Sequence, residues 1–402
     1  MKKILLIMLF IFTVAAVNAE GKLPWLRAEG SRVVDEYGRP VILRGVNLGG
    51  WLVEETWMLP FETKPPAGSP FVPIKDHVSL WKVIETRFGK AEMENMRTAF
   101  RMAWLTESDF ARIRAAGLNC VRLPFLSDIA DEPNGLYPWL DRAIDAATKH
   151  DLYVILDMHG TPGRQSDKPH TGMENSSLLF RDPALVKKTT EMWAGIAQRY
   201  KDQPTVAGYD LMNEPMGASN GATLYLVYDQ IYRAVRAHDA RHLIFIEDGF
   251  KGVDHMPNPA IAGWHNVIFS THTYARNAKS EEDFLAKMHR LTAQFTEQQT
   301  AFKVPMYLGE FNVVPCGTTE TIKKIIINLQ AKEISWSLWS YKNAGKMGKH
   351  SLWGLYNRPK RLKKIDPFQD SQKEIMKKIE QLYTEDFQEN TALLEVFRST
   401  IR

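Results

Sequence analysis

Eight short apolar runs recur along the chain, and each stops at polar residues: RGVNL (44–48), CVRLPF (120–125), YVILDMHG (153–160), VAGYDLMNEP (206–215), HLIFIED (242–248), VIFSTHTY (267–274), VPMYLGEFN (304–312) and ISWSLWSY (334–341). Stretches with apolar residues at helical spacing lie between them. TESDFARIRAA (106–116) opens on Thr with acids behind it and stops at Gly117; WLDRAIDAATKH (139–150), PALVKKTTEMWAGIAQRY (183–200) and TLYLVYDQIYRAVRAH (223–238) follow the same period. Strands that alternate with helices form a parallel sheet, and eight such units close into a (β/α)8 TIM barrel. Ahead of the first unit, LRAEGSRVVDEYGRPVIL (26–43) reads as an N-terminal hairpin turning at Tyr37-Gly38. Behind the last, 368–402 is rich in Lys and Glu and reads as a C-terminal helical extension, a closing helix plus a solvated extra helix.

Residues 1–19, MKKILLIMLFIFTVAAVNA, carry two lysines, an apolar run from Ile4 to Val17 and small residues at the end. This is the layout of a signal peptide, short for a membrane span. The expectation is an exported protein, secreted or held in the periplasm or at the cell surface, with no membrane span once the leader is removed; an uncleaved anchor is the alternative. Residues 20–402 are then a single barrel domain, and a monomer is expected. With 51 Lys and Arg against 47 Asp and Glu, or 49 without Lys2 and Lys3, nothing marks a nucleic-acid partner. Cys120 and Cys316 are too few for a disulfide framework and read as free thiols, a single bridge being the other option.

Parallel strands around a barrel bring their C-terminal ends to one rim, where barrel active sites are built. Asn47, Arg122, His159, Asn213, Glu214, His272, Tyr274, Glu310 and Trp339 all fall there. Glu214 and Glu310, on the fourth and seventh strands, would face each other across the mouth. Two carboxyls across a cleft suit cleavage of a glycosidic bond: one protonates the departing oxygen, the other attacks the anomeric carbon or activates water. The acid would need to be held protonated near neutral pH by burial or by its partner's charge.

Asn213-Glu214-Pro215 on the fourth strand with Glu310 on the seventh resembles glycoside hydrolase family 5, a group of retaining barrel glycosidases. Arg122 in VRLPF, His159 in DMHG, His272 and Tyr274 in THTY, and Trp339 in SLWSYK are similar to that family's other site positions. The resemblance spans roughly 44–342 and implies Glu214 as acid/base and Glu310 as nucleophile, about 5–5.5 Å apart. Arg122 and Tyr274 would then keep Glu310 ionised, Asn213 would bind the sugar 2-hydroxyl, and His159 and His272 would orient sugar and acid. Trp339 would be the stacking floor, and neither cofactor nor metal is implied.

NLGGWLVEETWMLPF (47–61) resembles the opening of the exo-β-1,3-glucanase group within that family, with Glu55 and Trp57 at matching positions; a hydrophobic plug made by Trp51, Trp57 and Phe61 is the other reading. The continuation after Trp339, and THTY on the sixth strand, depart from that group. The reading is therefore a retaining β-glycosidase acting on a β-linked oligo- or polysaccharide, β-glucan or a related β-glucoside, leaning to exo-β-1,3-glucanase. Endo-β-1,4-glucanase, mannanase or lipid-linked glucoside hydrolase stand as alternatives within the class. Outside it stand a silent carbohydrate-binding barrel and a metal-dependent barrel hydrolase.

Overall fold

A computed structural model describes residues 23–345 and 353–401, so the leader segment lies outside the described residues. Strands β1 (Leu26–Glu29) and β2 (Arg32–Asp35) form an antiparallel hairpin. The eight expected barrel strands are β3 (Arg44–Asn47), β4 (Cys120–Leu126), β5 (Tyr153–Gly160), β6 (Val206–Asp210), β7 (Leu243–Glu247), β8 (Val267–Tyr274), β9 (Met306–Asn312) and β10 (Ser335–Leu338). They close in the order β10-β3-β4-β5-β6-β7-β8-β9, every neighbouring pair parallel.

The period of two along a strand grades the barrel interior from apolar to polar. On β5, Tyr153 and Ile155 belong to an inner apolar cluster, while Asp157 and His159 lie above them. On β7, Leu243 and Phe245 lead up to Glu247, and on β8 Ile268 leads up to His272. Leu26 and Val33 of the hairpin join this cluster at the lower end, where the Tyr153 hydroxyl donates to the Pro24 carbonyl (2.8 Å). The hairpin closes the floor, and the polar residues collect at the opposite mouth.

Helices α1 (His77–Phe88) and α2 (Lys90–Trp104) lie between β3 and β4 and had no counterpart in the sequence reading. α3 (Glu107–Ala115), α4 (Tyr137–Lys149), α5 (Pro183–Tyr200) and α6 (Gly221–Arg236) match the four expected helices. α7 (Pro259–Ala262), α8 (Glu281–Phe302) and α9 (Thr319–Ala331) complete the ring, followed by α10 (Gln372–Ile379) and α11 (Thr391–Thr400).

Three local expectations are corrected. The β1–β2 hairpin turns at Gly30-Ser31, where Gly30 takes φ 59°; the expected turn at Tyr37-Gly38 is present as a second one, which brings Pro40 antiparallel against Val34, with the Val41 N–H donating to the Val33 carbonyl (2.9 Å). The fourth barrel strand stops at Asp210 rather than running to Pro215, so Asn213 and Glu214 project from the loop above it. The tail carries no merely solvated helix. Ile375 and Ile379 of α10 are buried, as are Leu393, Leu394 and Phe397 of α11, with Phe397 5.9 Å from the ring of Trp336. Lys373, Glu374 and Lys377 of α10 and Glu395 and Arg398 of α11 face outward, which makes the segment look solvated. Cys120 and Cys316 are both free.

Candidate active site

Arg122 is fully buried on β4 and uses all five of its N–H donors. Nε donates to Asp210 (2.8 Å); Nη1 donates to Glu310 (2.8 Å) and Asn47 (3.1 Å); Nη2 donates to Asn213 (2.9 Å) and Glu247 (3.1 Å). Asp157 lies 3.1 Å from Nη2 as well. Asn47 is fully buried beneath the site, where it donates to the Gly309 carbonyl (3.0 Å). It orients Arg122 and does not line the cavity.

Glu310 reaches the interior through a bulge. Thr271 pairs with Leu308 and His272 with Glu310, so Gly309 is an extra residue in β9. That insertion shifts the alternation and turns Glu310 inward, the same side as Tyr307. A Cβ on Gly309 would come within 2.8 Å of His272 Nε2, so glycine also makes room for the imidazole. The Tyr274 hydroxyl donates to the other Glu310 oxygen.

Glu214 sits at φ +43°, a conformation unfavourable for a residue with a side chain. Its backbone N–H donates to Glu247 (2.7 Å), and Gln165 donates to the preceding Asn213 carbonyl (2.6 Å). Its carboxylate meets His272 Nδ1 at 3.0 Å and His170 Nδ1 at 3.5 Å. Oxygens of Glu214 and Glu310 lie within 4.8 Å of each other and of His272.

These two carboxylates line a cavity of about 760 Å³, together with His159, Asn213, His272, Tyr274 and Trp339, and with Glu55 and Trp57 of the first loop. The cavity has the size of sites that hold small organic ligands. Trp339 stacks on His159 at 5.7 Å, and its buried Nε1 has no acceptor among the described residues. Asn213 spends its carbonyl oxygen on Arg122, which leaves its NH2 for a ligand. Trp57 donates to Glu55 (2.8 Å) and meets Trp353 edge-on at 4.9 Å. Trp51 and Phe61 are buried in the core, so the loop's aromatics divide: two plug, and Trp57 faces the cavity. The adjacent Glu54 turns the other way, into a buried pair with His77 and Arg101 of the α1–α2 insertion.

Comparison with known proteins gives the family. The family model Cellulase (glycosyl hydrolase family 5) matches residues 83–345. The chain belongs to glycosyl hydrolase family 5. It is 28% identical over 358 residues to a beta-xylosidase of Phanerodontia chrysosporium, covering 81% of this chain and 72% of that protein. It is 29% identical over 316 residues to a probable glucan 1,3-beta-glucosidase A of Aspergillus niger, covering 75% and 72%. Among solved structures, a rutinosidase from Aspergillus niger superposes with a TM-score of 0.62 at 17% identity, covering 78% of this chain and 92% of that one. This likeness is one of fold.

In this family 5 glycoside hydrolase, more carboxylates crowd Arg122 than one cation can neutralise. Burial pushes Asp157 up to about 7 and Glu247 up to about 8, against the pull of Arg122 on the first and of His272 on the second, so protons are held among these groups near neutrality. Burial also pushes Glu55 up to about 8, with Glu310 and Glu214 adding to it. His159 is pushed down to about 3 by burial and is a neutral imidazole, its Nδ1 2.7 Å from Asp157. His272 is held well above the usual range: burial opposes, but the nearby Glu247 and Glu310 prevail.

Glu214 departs from expectation. Burial would raise it, but His170 and the His272 hydrogen bond bring it down to about 2. The site thus holds Glu214 ionised rather than protonated. Glu214, His272 and Glu310 are near enough to receive a metal ion, but His272 retains its proton, and Arg122 and Tyr274 already occupy Glu310.

Glu247, His170, Gln165, Asp157 and Asp210 were absent from the sequence-derived set. Glu247 holds the Glu214 backbone and Arg122 at once, so it acts as a positioning residue. Glu247→Ala leaves the Glu214 amide without this acceptor and loosens Arg122 in a buried site, and should lower kcat on an aryl β-glycoside by about 10- to 100-fold, with little change in KM. Kinetics of the variant check this; a rise in KM at constant kcat would place Glu247 in ground-state binding instead.

Proposed function

We propose that this glycoside hydrolase is a retaining exo-β-glucosidase acting on β-glucan, with 1,3-linked chains as the favoured substrate. The observation that carries the retaining mechanism is the Glu214–Glu310 approach within 4.8 Å. It is the close spacing of a nucleophile pair, without room for water between carboxylate and sugar.

In the first step Glu310 attacks the anomeric carbon, the glycosidic C–O bond breaks, and the Glu214 proton passes to the departing oxygen. In the second, water attacks the glycosyl–Glu310 ester, Glu214 takes its proton, and Glu310 leaves as the carboxylate. Glu214 in its ionised form is the base of that second step. A sugar that expels water from the cavity deepens the burial of Glu214 and raises its proton affinity, the direction the first step needs. Arg122 and Tyr274 hold Glu310 for attack, and Trp339 supports the sugar face beside His159.

Exo action is supported by the wall beyond Glu55. Trp57, Trp353 and Tyr274 stand in ring contact, and Ala344 N–H donates to the Met58 carbonyl (2.8 Å), which ties the segment after β10 to the first loop. This wall limits the room beyond a terminal sugar, and Glu55 offers it a carboxyl. The relatives named beta-xylosidase and probable glucan 1,3-beta-glucosidase A support this reading. The lysine-led apolar segment 1–19 is proposed to direct export; no helix among the described residues is long and apolar enough to cross a membrane.

Incubation with laminari-, cello-, manno- and xylo-oligosaccharides, in the presence of chelator, should release single glucose units fastest from the 1,3-linked series. The first product should be the β-anomer by NMR. Early mixtures of longer oligomers would overturn the exo assignment, and an α-anomer would overturn retention. Glu214→Ala should cost about 10²–10⁴-fold on these oligosaccharides and much less on dinitrophenyl glucosides, whose leaving group needs no proton. Equal losses on both would remove the acid/base role.

A further inference from the structure

The cavity does not end at the two carboxylates. From β7 and β8 it continues along a second wall made by the loops after those strands and by one face of α8. Its β7 end lies across the barrel mouth from Glu55 and Trp57, because β7 stands opposite β3 in the strand order, while Arg276 stands nearer to them, over the Tyr274 ring. If the terminal sugar occupies the Glu55 side, as in the proposed function on which this inference rests, the departing group occupies the α8 side.

The chemistry of that wall is specific. Phe250, half exposed at φ +59°, presents its ring to the cavity, with Leu291 also lining it. Arg276, Lys287 and Arg290 line the same space, with Gln294 one turn beyond Arg290. None of the three cations forms an ion pair among the described residues. Arg276 lies over the Tyr274 ring at 5.2 Å, and Lys287 donates only to the Tyr274 carbonyl (3.4 Å). The acids nearby are engaged elsewhere. Asp248, which also lines the cavity, accepts from the Thr271 hydroxyl (3.0 Å) and from the Phe250 and Gly252 amides (each 3.2 Å). Asp283, one turn before Lys287, accepts from the Lys279 amide (2.9 Å).

A neutral glucan gives no use to three unpaired cations along its exit path, although the solvated face of a helix needs no partner of its own. What distinguishes these three is convergence: two come from α8 at i and i+3, and the third comes from the loop after β8, all onto one cavity that also exposes an aromatic ring. We propose that this wall is a leaving-group subsite for a ring that rests against Phe250 and carries an anionic substituent, a carboxylate or a phosphate-type group, facing Arg276, Lys287 and Arg290.

The test uses matched aryl β-glucosides: 4-carboxyphenyl against 4-carbamoylphenyl, with 4-(phosphonomethyl)phenyl as a second anionic arm. The quantity read is the ratio of kcat/KM for the charged and the neutral glucoside. Comparing that ratio between enzymes cancels the intrinsic difference in leaving-group ability. Lys287 and Arg290, exposed cations each contributing about two- to threefold, should make the wild-type ratio about four- to ninefold higher than that of Lys287→Ala/Arg290→Ala at low salt. The advantage should fade as salt rises. Lys287→Glu/Arg290→Glu should push the ratio below that of the alanine variant. Whichever anionic arm gains more identifies the group; a gain in either supports the subsite. A ratio unchanged by both pairs of substitutions overturns the inference while leaving the glycosidase reading intact. No turnover of any of the three glucosides overturns the proposed function, and the subsite with it.

Discussion

The site depends on one buried guanidinium. Arg122 commits each of its five N–H donors, and the acceptors come from five different places on the rim: Asn47, Asp210, Asn213, Glu247 and Glu310. A fully desolvated cation without these partners would be prohibitively costly. With them, it fixes the strand ends of β3, β6, β7 and β9 relative to β4. The same arrangement sets the protonation pattern. Carboxylates outnumber cations, so burial keeps protons on the Asp157 and Glu247 groups, while Glu310 keeps the closest contact with Arg122 apart from Asp210.

Around that hub the two carboxyls proposed for catalysis are held by different means. Glu310 is placed by covalent geometry, a one-residue bulge at Gly309, and is then tied to Arg122 and Tyr274. Glu214 is placed by tension between an unfavourable backbone angle and the hydrogen bonds that hold it, from its own amide to Glu247 and from Gln165 to Asn213. Two imidazoles then control its charge, one of which, His170, comes from the 3₁₀ turn Pro169–Thr171 of the loop after β5.

The barrel was legible because each strand advertises itself twice: as an apolar run, and by the polar residues at which that run stops. The candidate residues on those stops, including Glu214, Glu310, His272 and Trp339, came together at one cavity, whereas Asn47 proved to lie beneath it. Asp157, Asp210 and Glu247 were hidden by the same pattern. They sit inside apolar strands and blend into them, although a carboxylate in a fully buried run is itself a signal of a buried partner. His170 left no trace, since loop residues carry no period. The parity of β9 was also out of reach, because a bulge is invisible until its neighbour's register is known. The tail misleads through composition: charged residues on the outer faces conceal the buried stripes that hold α10 and α11 against the barrel.

The proposed mechanism requires the sugar's anomeric carbon to become bonded to a Glu310 oxygen, with Arg122 behind it. The most direct measurement is covalent trapping with 2-deoxy-2-fluoro-β-glucosyl fluoride, followed by proteolysis and mass spectrometry of the labelled peptide. A fluoroglucosyl ester on Glu310, in the peptide containing YLGEFN, is the predicted result. A label on Glu214 or Glu55, or turnover that consumes the reagent without any trapped ester, would contradict it.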